Sequence, residues 1–491
     1  MSNSSLGRRG RAHYVFDKDL VYERLRDLLG DRVNREEHIR HSYVGDTGWL
    51  TLYHAFKRIK APLPDIVVFP KNAEEISGIL KVANEFRVPV IPYGGGSGVW
   101  GGTIPLYGGI VVDMKLMNNI EINEEAMTVT AEAGVLSYEL ELKLNERGLT
   151  MGHYPASMFS ATVGGMLAAR SSGVASTKYG KIEDMVLGLE VVLPTGEILR
   201  TPVKPRYTGA VGPDLVQLFV GSEGTLGIIT RATFQLHLLP EKRIFSAFSF
   251  RSLEDGYRSV VKMLSRVTPA VVRLYDEEEV MRSKFKTYTP PEGVRGALLL
   301  LIFDGFGEMP ELEEKIAREI CLENGGSYIG DEPARKWWNE RFRHYYPPLS
   351  PSSNLPMIYG TIDVAATFDK LLKIYRAVKE ALYSRYGDYQ LQTAAHFSHW
   401  SKSGGMVYLR FYVLDPPADP EKAIKLREDI IETAIKITAQ MGGIINDHHG
   451  VGLDLGRYME LQHGPIGMDT LRRIKKVLDP NGIMNPGKLG L

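Results

Sequence analysis

Cysteine is nearly missing: Cys321 stands alone in 491 residues. A single thiol excludes an internal disulfide and any all-cysteine zinc or iron–sulfur centre, and it fits a reducing cytoplasm. Long hydrophobic runs are missing too. No stretch approaches the ~20 apolar residues that a membrane-spanning helix needs. Met1 to Tyr14 is polar and basic, so no secretory signal is expected. Arg8, Arg9 and Arg11 read as a solvated tail, with a peripheral membrane or partner patch as the other reading. Excess charge is absent as well. Lys and Arg number 59 against 59 Asp and Glu, so no global field draws nucleic acid or an anionic surface. The chain is too long for one ordinary core, and two or more domains are expected.

Glycine, in contrast, is concentrated. The run Pro92–Tyr93–Gly94–Gly95–Gly96–Ser97–Gly98–Val99–Trp100–Gly101–Gly102 follows the apolar stretch Val88–Pro92, which reads as a strand. Successive N–H groups in such a turn form a concave anion site suited to a pyrophosphate; a surface loop is the alternative. Upstream, Ile66–Phe69 reads as a buried strand ended by Pro70. Asn72 and Glu75 form a capping-box pattern, and Ile76, Ile79, Leu80 and Ala83 share one helical face. Residues 65–102 therefore read strand, helix, strand, phosphate loop. A Rossmann turn opens a helix, whereas Val99–Pro105 cannot sustain one. A Walker loop is excluded because no Gly-Lys-Ser/Thr ends the run.

Two more stretches share this character. Gly152–His153–Tyr154–Pro155–Ala156–Ser157 with Ser160–Ala161–Thr162–Val163–Gly164–Gly165 is dense in small residues, so it can pass beside a large flat ligand; a loop around a helix start is the alternative. Leu218–Ile229 sets Glu223 among three glycines, where a carboxylate could accept from ribose hydroxyls. Between them lie paired strands near Asn118–Ile122 and Met127–Ala131, a helix on Leu136, Leu140 and Leu144, and a hairpin at Met185–Thr201. Past Pro240 the order strand–helix–strand occurs twice over residues 244–329 and again, more weakly, over 356–445. That is the ferredoxin-like order.

The chemistry-bearing residues fall in this later half. Gly442–Gly443–Ile444–Ile445–Asn446–Asp447–His448–His449–Gly450 reads as a strand leading into two adjacent histidines, able to take and return protons near neutral pH. Neighbours on a strand face opposite ways, so one is expected to face a ligand; a structural histidine is the alternative. His396, His399 and Tyr408 sit on the last cap strands. With the later pair they could form a metal site, but a structural or substrate-facing role is preferred and no metal is expected. Arg273, alone in Val271–Leu274, suits a phosphate or carboxylate; an ion pair with Asp276 or another acid is the alternative.

PDIVVFP, IPYGGGSG, SATVGG, YGKIED and GSEGTLGIIT occur in this order. On these motifs residues 62–240 resemble the FAD-binding domain of the vanillyl-alcohol oxidase family, or PCMH type. The resemblance implies an α+β fold: a PCMH-type FAD-binding domain of two α+β subdomains plus a ferredoxin-like-repeat cap. It divides the chain into an N-terminal helical segment (1–61), the FAD-binding domain (62–240), the cap (241–440) and a C-terminal segment with the His pair (441–491). It implies that Tyr93, Gly94, Gly95, Gly96, Ser97, Gly98 and Val99 hold the pyrophosphate. Pro155, Ser157, Thr162 and Gly165 would line the flavin, and Glu223, Gly227 and Ile228 would serve the nucleotide half. Pro92, Ala156, Ser160, Gly164 and Ile182 complete the cofactor set. Some members attach FAD through a loop histidine; Ser97 and Gly98 stand there, so non-covalent FAD is expected.

Within the family the whole chain resembles the alkyldihydroxyacetonephosphate synthases and their prokaryotic FAD-linked oxidase relatives, on GHYPAS, VGPDL, RLYD, VYLRFYV, NDHHGVG and LDPNGIMNPGKL. That resemblance implies exchange of an acyl for an alkyl group through a flavin N5 adduct, with no net redox. It implies His448 or His449 as proton shuttle, Tyr408 as acid–base or positioning group, and Arg273 as phosphate anchor. Asp447 stands where the synthases have the first of three histidines, and GHYPAS replaces their GHEPDS. The second expectation is a 2-hydroxyacid dehydrogenase of the D-lactate or glycolate type, whose GDGNLH and Glu-His-Gly are not found here. A small anionic substrate, with a lipid tail in the synthase reading, and a cytoplasmic homodimer complete the expectations.

Overall fold

The computed structural model describes residues 14–206, 208–281, 291, 294–342 and 355–491; the arginine cluster at 8–11 lies outside them. Three sheets carry the architecture. The first joins β1 (Ile66–Val68), β2 (Val90–Tyr93) and β3 (Ile110–Asp113) in parallel, β3 between the others, with Val33–Asn34 antiparallel at the β1 edge. The helix Ala73–Phe86 crosses between β1 and β2. Asn72 Oδ1 accepts from Glu75 N at 2.8 Å, as the capping pattern implies. Glu75, however, accepts from Lys71 N and pairs with Arg32 at 2.6 Å, instead of closing the box on Asn72.

The second sheet is antiparallel, built of β4 (Ile120–Asn123), β5 (Thr128–Glu132), β6 (Val186–Val192), β7 (Ile198–Arg200) and β8 (Ile228–Gln235) in the order β4-β5-β8-β6-β7. Both expected hairpins, β4–β5 and β6–β7, form.

The third sheet has seven antiparallel strands: β9 (Lys242–Phe250), β10 (Val271–Tyr275), β11 (Ala297–Gly305), β12 (Ser327–Tyr328), β13 (Ile358–Thr367), β14 (Leu391–Ser398) and β15 (Gly404–Val413). Their order is β12-β9-β11-β10-β14-β15-β13. Both halves place the strands of one ferredoxin-like unit in the same relative order, and β10 pairs with β14 to fuse the units into one sheet. In the second unit the fourth strand shrinks to one bridge, Ile444 to Ala365.

Side-chain alternation gives the cap sheet two apolar faces. Val272, Leu274, Phe397, Leu409, Ile362 and Val364 share one cluster with Leu253 and Val260 of the helix Leu253–Leu264 and Leu371 of the helix Phe368–Tyr386. Val271, Tyr275, Leu298 and Leu300 belong to another cluster with Val129, Leu189 and Phe234 of the second sheet. One face thus carries helices and the other meets the cofactor half. Residues 14–60 fasten the two halves: Trp49 packs in the cap cluster and donates through Nε1 to Met357 O at 3.1 Å. The C-terminal segment returns to the first sheet, where Val90 N donates to Ile483 O at 2.8 Å and Ile483 and Met484 are fully buried. No described helix is long and apolar enough to cross a membrane.

Candidate active site

The three glycine-rich stretches meet. β2 delivers Pro92 and Tyr93 into an irregular loop, and no helix follows before β3. Gly94 and Gly95 lie against the second stretch: a Cβ on Gly94 would overlap Thr162 Oγ1, and one on Gly95 would overlap the Ser160 carbonyl. Gly96 takes φ 62°, a left-handed value that glycine adopts without strain. Gly224 of the third stretch sits against Pro92. Pro155, Ala156, Ser157 and Ser160 lie in the turns before the helix Val163–Ala168, which Thr162 caps by accepting from Gly165 N at 3.3 Å. Gly164 and Gly165 form its first turn. Ile182 and Ile228 have their side chains in the core, so they have only backbone to offer a ligand. Ser97 and Gly98 are held from outside, Thr47 donating to Gly98 O from its N at 3.0 Å and its Oγ1 at 2.9 Å.

Glu223, expected to serve the nucleotide half, holds protein backbone in the structure. It is buried, with φ 49°. Its carboxylate accepts from Val451 N and, at 2.8 Å, from Gly452 N. It therefore clamps the segment just after the histidine pair. Burial pushes it up to about 7, against those two N–H bonds.

On the cap, β-register assembles one row. Tyr275 pairs with His396, His396 with Tyr408, and Tyr408 with Asp363 across β10, β14, β15 and β13. Directly opposed residues share a face, and this face is turned to the cofactor half. His396 stacks on Tyr408 with ring centroids 4.9 Å apart. Arg273, two residues before Tyr275, lies on the same face. It donates through Nε to Tyr275 OH at 2.9 Å and through Nη2 to His396 Nδ1 at 3.3 Å, over the Trp337 ring. The alternative ion pair with Asp276 does not form: that carboxylate accepts from Tyr375 OH at 2.6 Å, Glu279 N and Ala395 N. Among the described residues the partners of Arg273 are uncharged side chains, and no carboxylate pairs with it. His396 accepts from an arginine, and burial plus the charges of Arg273 and Arg410 hold it well below the usual histidine range.

His448 and His449 do not alternate. After Ile444 the chain departs from strand geometry: Ile445 N donates to Gln462 Oε1 and His448 N to Asp363 Oδ2, while Asp447 N still reaches Asp363 O on β13. The rings of His448 and His449 sit side by side, centroids 4.1 Å apart, 6.0 and 5.4 Å from Tyr408. Asp363 serves both: His448 Nδ1 lies 3.3 Å from Oδ2, and His449 Nδ1 2.9 Å from Oδ1, close but poorly aligned for a hydrogen bond. Burial opposes the charge on Asp363, yet the two imidazoles hold it below the usual carboxylate range. Asp447 Oδ2 faces His399 Nδ1 at 3.0 Å and His448 Nδ1 at 3.2 Å.

Sequence reasoning missed Asp363, Lys181, His153 and Asp46. Asp46 accepts from Gly101 N at 2.7 Å and Gly48 N at 3.0 Å, tying the N-terminal segment to the glycine loop. Burial pushes it up to about 6. His153 is buried and bonded to Ser171 at 2.8 Å. An acid inside an apolar strand was the signal available for Asp363, by the reasoning applied to Arg273.

Two family models match: an FAD binding domain over residues 64–202 and an FAD-linked oxidase C-terminal domain over 239–489. The chain belongs to the FAD-linked oxidases. It is 32% identical to a probable mitochondrial D-lactate dehydrogenase of Danio rerio, covering 87% of this chain and 84% of that protein. It is 28% identical to the alkyldihydroxyacetonephosphate synthase of Trypanosoma brucei brucei, covering 96% and 81%. Among solved structures, an alkyldihydroxyacetonephosphate synthase superposes with TM-score 0.78 at 23% identity, over 98% of this chain and 88% of that one. A p-cresol methylhydroxylase with bound substrate gives 0.76 at 20%, over 96% of both. The PCMH-type fold and the FAD cofactor expected from the sequence are borne out.

The residues present fit FAD. Among the described residues, buried His153 Nδ1 and Ser172 Oγ, beside the second glycine-rich stretch, have no hydrogen-bond partner; a ring bearing carbonyls and N–H groups offers them one. When bound, FAD supplies a two-electron acceptor and a reactive ring nitrogen.

Proposed function

We propose that this FAD-linked oxidase homologue exchanges an acyl for an alkyl group on a small phosphorylated substrate, giving the product class that its alkyldihydroxyacetonephosphate synthase relatives are named for. The observation supporting this is the imidazole pair on one shared carboxylate, Asp363. In such an exchange the carbon–oxygen bond to the ester oxygen breaks, the acid leaves as a carboxylate, and an alcohol oxygen takes its place and gives up its proton. Electrons balance without an external oxidant. A proton must leave the substrate carbon and later return, while another leaves the alcohol. Two adjacent imidazoles can carry two protons, and Tyr408 lies beside both. Both Nδ1 atoms face carboxylate oxygens, so each ring's Nε2 is left as base.

Arg273 would hold the phosphate. Arg273→Ala is expected to raise KM for the anionic substrate roughly 10- to 100-fold, the equivalent of about 1.5–3 kcal/mol for a charge-assisted hydrogen bond. FAD content should stay unchanged. An unaltered KM would remove the anchor role.

A D-lactate or glycolate dehydrogenase is the second reading, favoured by the 30% identity to the D-lactate dehydrogenase of Anaerostipes hadrus over 96% of this chain and 97% of that one. Arg273 can grip a carboxylate equally well. An anaerobic absorbance screen separates the two. Acyl-dihydroxyacetone phosphate with a fatty alcohol should give ether product with the flavin still oxidised at the end. Bleaching by a 2-hydroxy acid would select the dehydrogenase. Acid precipitation should release the yellow colour to the supernatant, since FAD is proposed to be non-covalent; a yellow pellet would overturn that.

A further inference from the structure

The YGKIED segment carries a lysine that neither the cofactor nor the substrate reading uses. Lys181 caps the short helix Ile182–Met185, its N–H donating to Asp184 Oδ2 at 2.9 Å. Its side chain runs the other way, into the cap, and Nζ reaches Asp447 Oδ1 at 2.6 Å and Asp447 O at 3.0 Å. The two oxygens of Asp447 are thus divided. Oδ1 meets Lys181, and Oδ2 meets His399 and His448.

Asp447 therefore places a buried carboxylate, 6% exposed at its side chain, within the imidazole cluster. A second carboxylate, Asp363, is already there, 1% exposed at its side chain. Consider the formal charges. Asp363 and Asp447 contribute two negatives, and Lys181 and the neighbouring Arg273 two positives. His399, His448 and His449 then need no proton among them for neutrality. Without Lys181 they need one, and an imidazolium removes a base.

We propose that Lys181 is a positioning residue that offsets Asp447, so that Asp447 fixes the Nδ1–H tautomer of His448 without drawing a proton onto its Nε2. This rests on the reading above that the histidine pair handles substrate protons. The directions of the buried groups agree. Burial opposes ionisation of Asp447, but Lys181 and the two histidines hold it well below the usual carboxylate range. Burial and the neighbouring His449 bring His448 down to about 4, against the pull of Asp447 and Asp363. Burial likewise lowers His399, with Lys181 and Arg273 acting against Asp447. The other groups facing the cluster are Tyr408 on β15, His396 on β14, Arg273 on β10, His153 near His399 and, beside Lys181, Glu183, which burial pushes up.

The test uses FAD-loaded protein carrying 13C-labelled histidine, with the His448 signal assigned by its loss in His448→Gln. In the unsubstituted chain His448 should stay neutral throughout pH 5–8. In Lys181→Met its midpoint should rise by about one to two pH units, the usual effect of one nearby charge, and enter that window. Lys181→Arg should restore the original behaviour. Asp447→Asn should abolish the effect of Lys181→Met. An unmoved midpoint in Lys181→Met with full FAD content would overturn the proposal. Should that variant shed FAD, Lys181→Gln makes the same comparison with a polar, uncharged side chain. The acid limb of turnover should move alkaline with the midpoint. If no proposed substrate turns over, the midpoint still decides the role of Lys181, so the two failures are distinct.

Discussion

His449→Ala is expected to cut turnover by about 10²- to 10⁴-fold, the range for a lost general acid–base group, while FAD stays bound at full occupancy. His449 Nδ1 lies 2.9 Å from Asp363 Oδ1, so the carboxylate faces that side of the ring and the proposed base is Nε2. His448 cannot replace it, because its own Nδ1 is shared between Asp363 and Asp447 and its ring occupies a different place. The substitution spares the backbone. Gly450 keeps its left-handed φ of 76°, and Val451 and Gly452 keep their bonds to Glu223. The three glycine-rich stretches are untouched. Turnover on the substrate class chosen by the anaerobic screen, measured beside the visible flavin absorbance, checks this. Loss of FAD with loss of turnover would make His449 a structural residue.

How much of this was legible depends on the range over which each feature is written. The strand–helix–strand before the glycine run is local: Pro70 ends a strand, Asn72 starts a helix, and the apolar period says which face is buried. Both hairpins of the second sheet follow from turn residues a few positions apart. Arg273 was legible because a charge inside an apolar strand needs a partner. Asp363 has the same signature in Ile362–Asp363–Val364, yet its partners are fixed only by the return of residues 444–449 along the edge of β13, which no local pattern states. The histidine pair was located but its geometry was not. Strand alternation failed there because side chains, Gln462 and Asp363, take the N–H groups of Ile445 and His448, and the chain bends. Lys181 and Asp46 were hidden for the same reason as Asp363. Each acts on a residue far along the chain, 266 positions away for Lys181 and 55 for Asp46. Glu223 lay in the right loop, but its partners come from the last fifty residues.

The largest structural effect is expected at Gly95. An alanine there places its Cβ on top of the Ser160 carbonyl oxygen. Both atoms belong to backbone or are fixed to it, so no rotamer change relieves the overlap. One of the two stretches must move, and the move separates Gly94 from Thr162, the cap of the helix Val163–Ala168. Overpacking of this kind costs about 1–3 kcal/mol or more. Here it also opens the place where two of the three cofactor stretches meet. Gly95→Ala should therefore purify without flavin, or not fold, and adding FAD should restore little of the yellow colour. Gly102→Ala is the control in the same loop. Its nearest neighbour would be Glu223 Oε2 at 3.8 Å, an ordinary contact, so it should keep its flavin and melt close to the unsubstituted chain. Equal flavin content in the two variants would mean that the contact between the glycine loop and Ser160 is not what shapes the cofactor site.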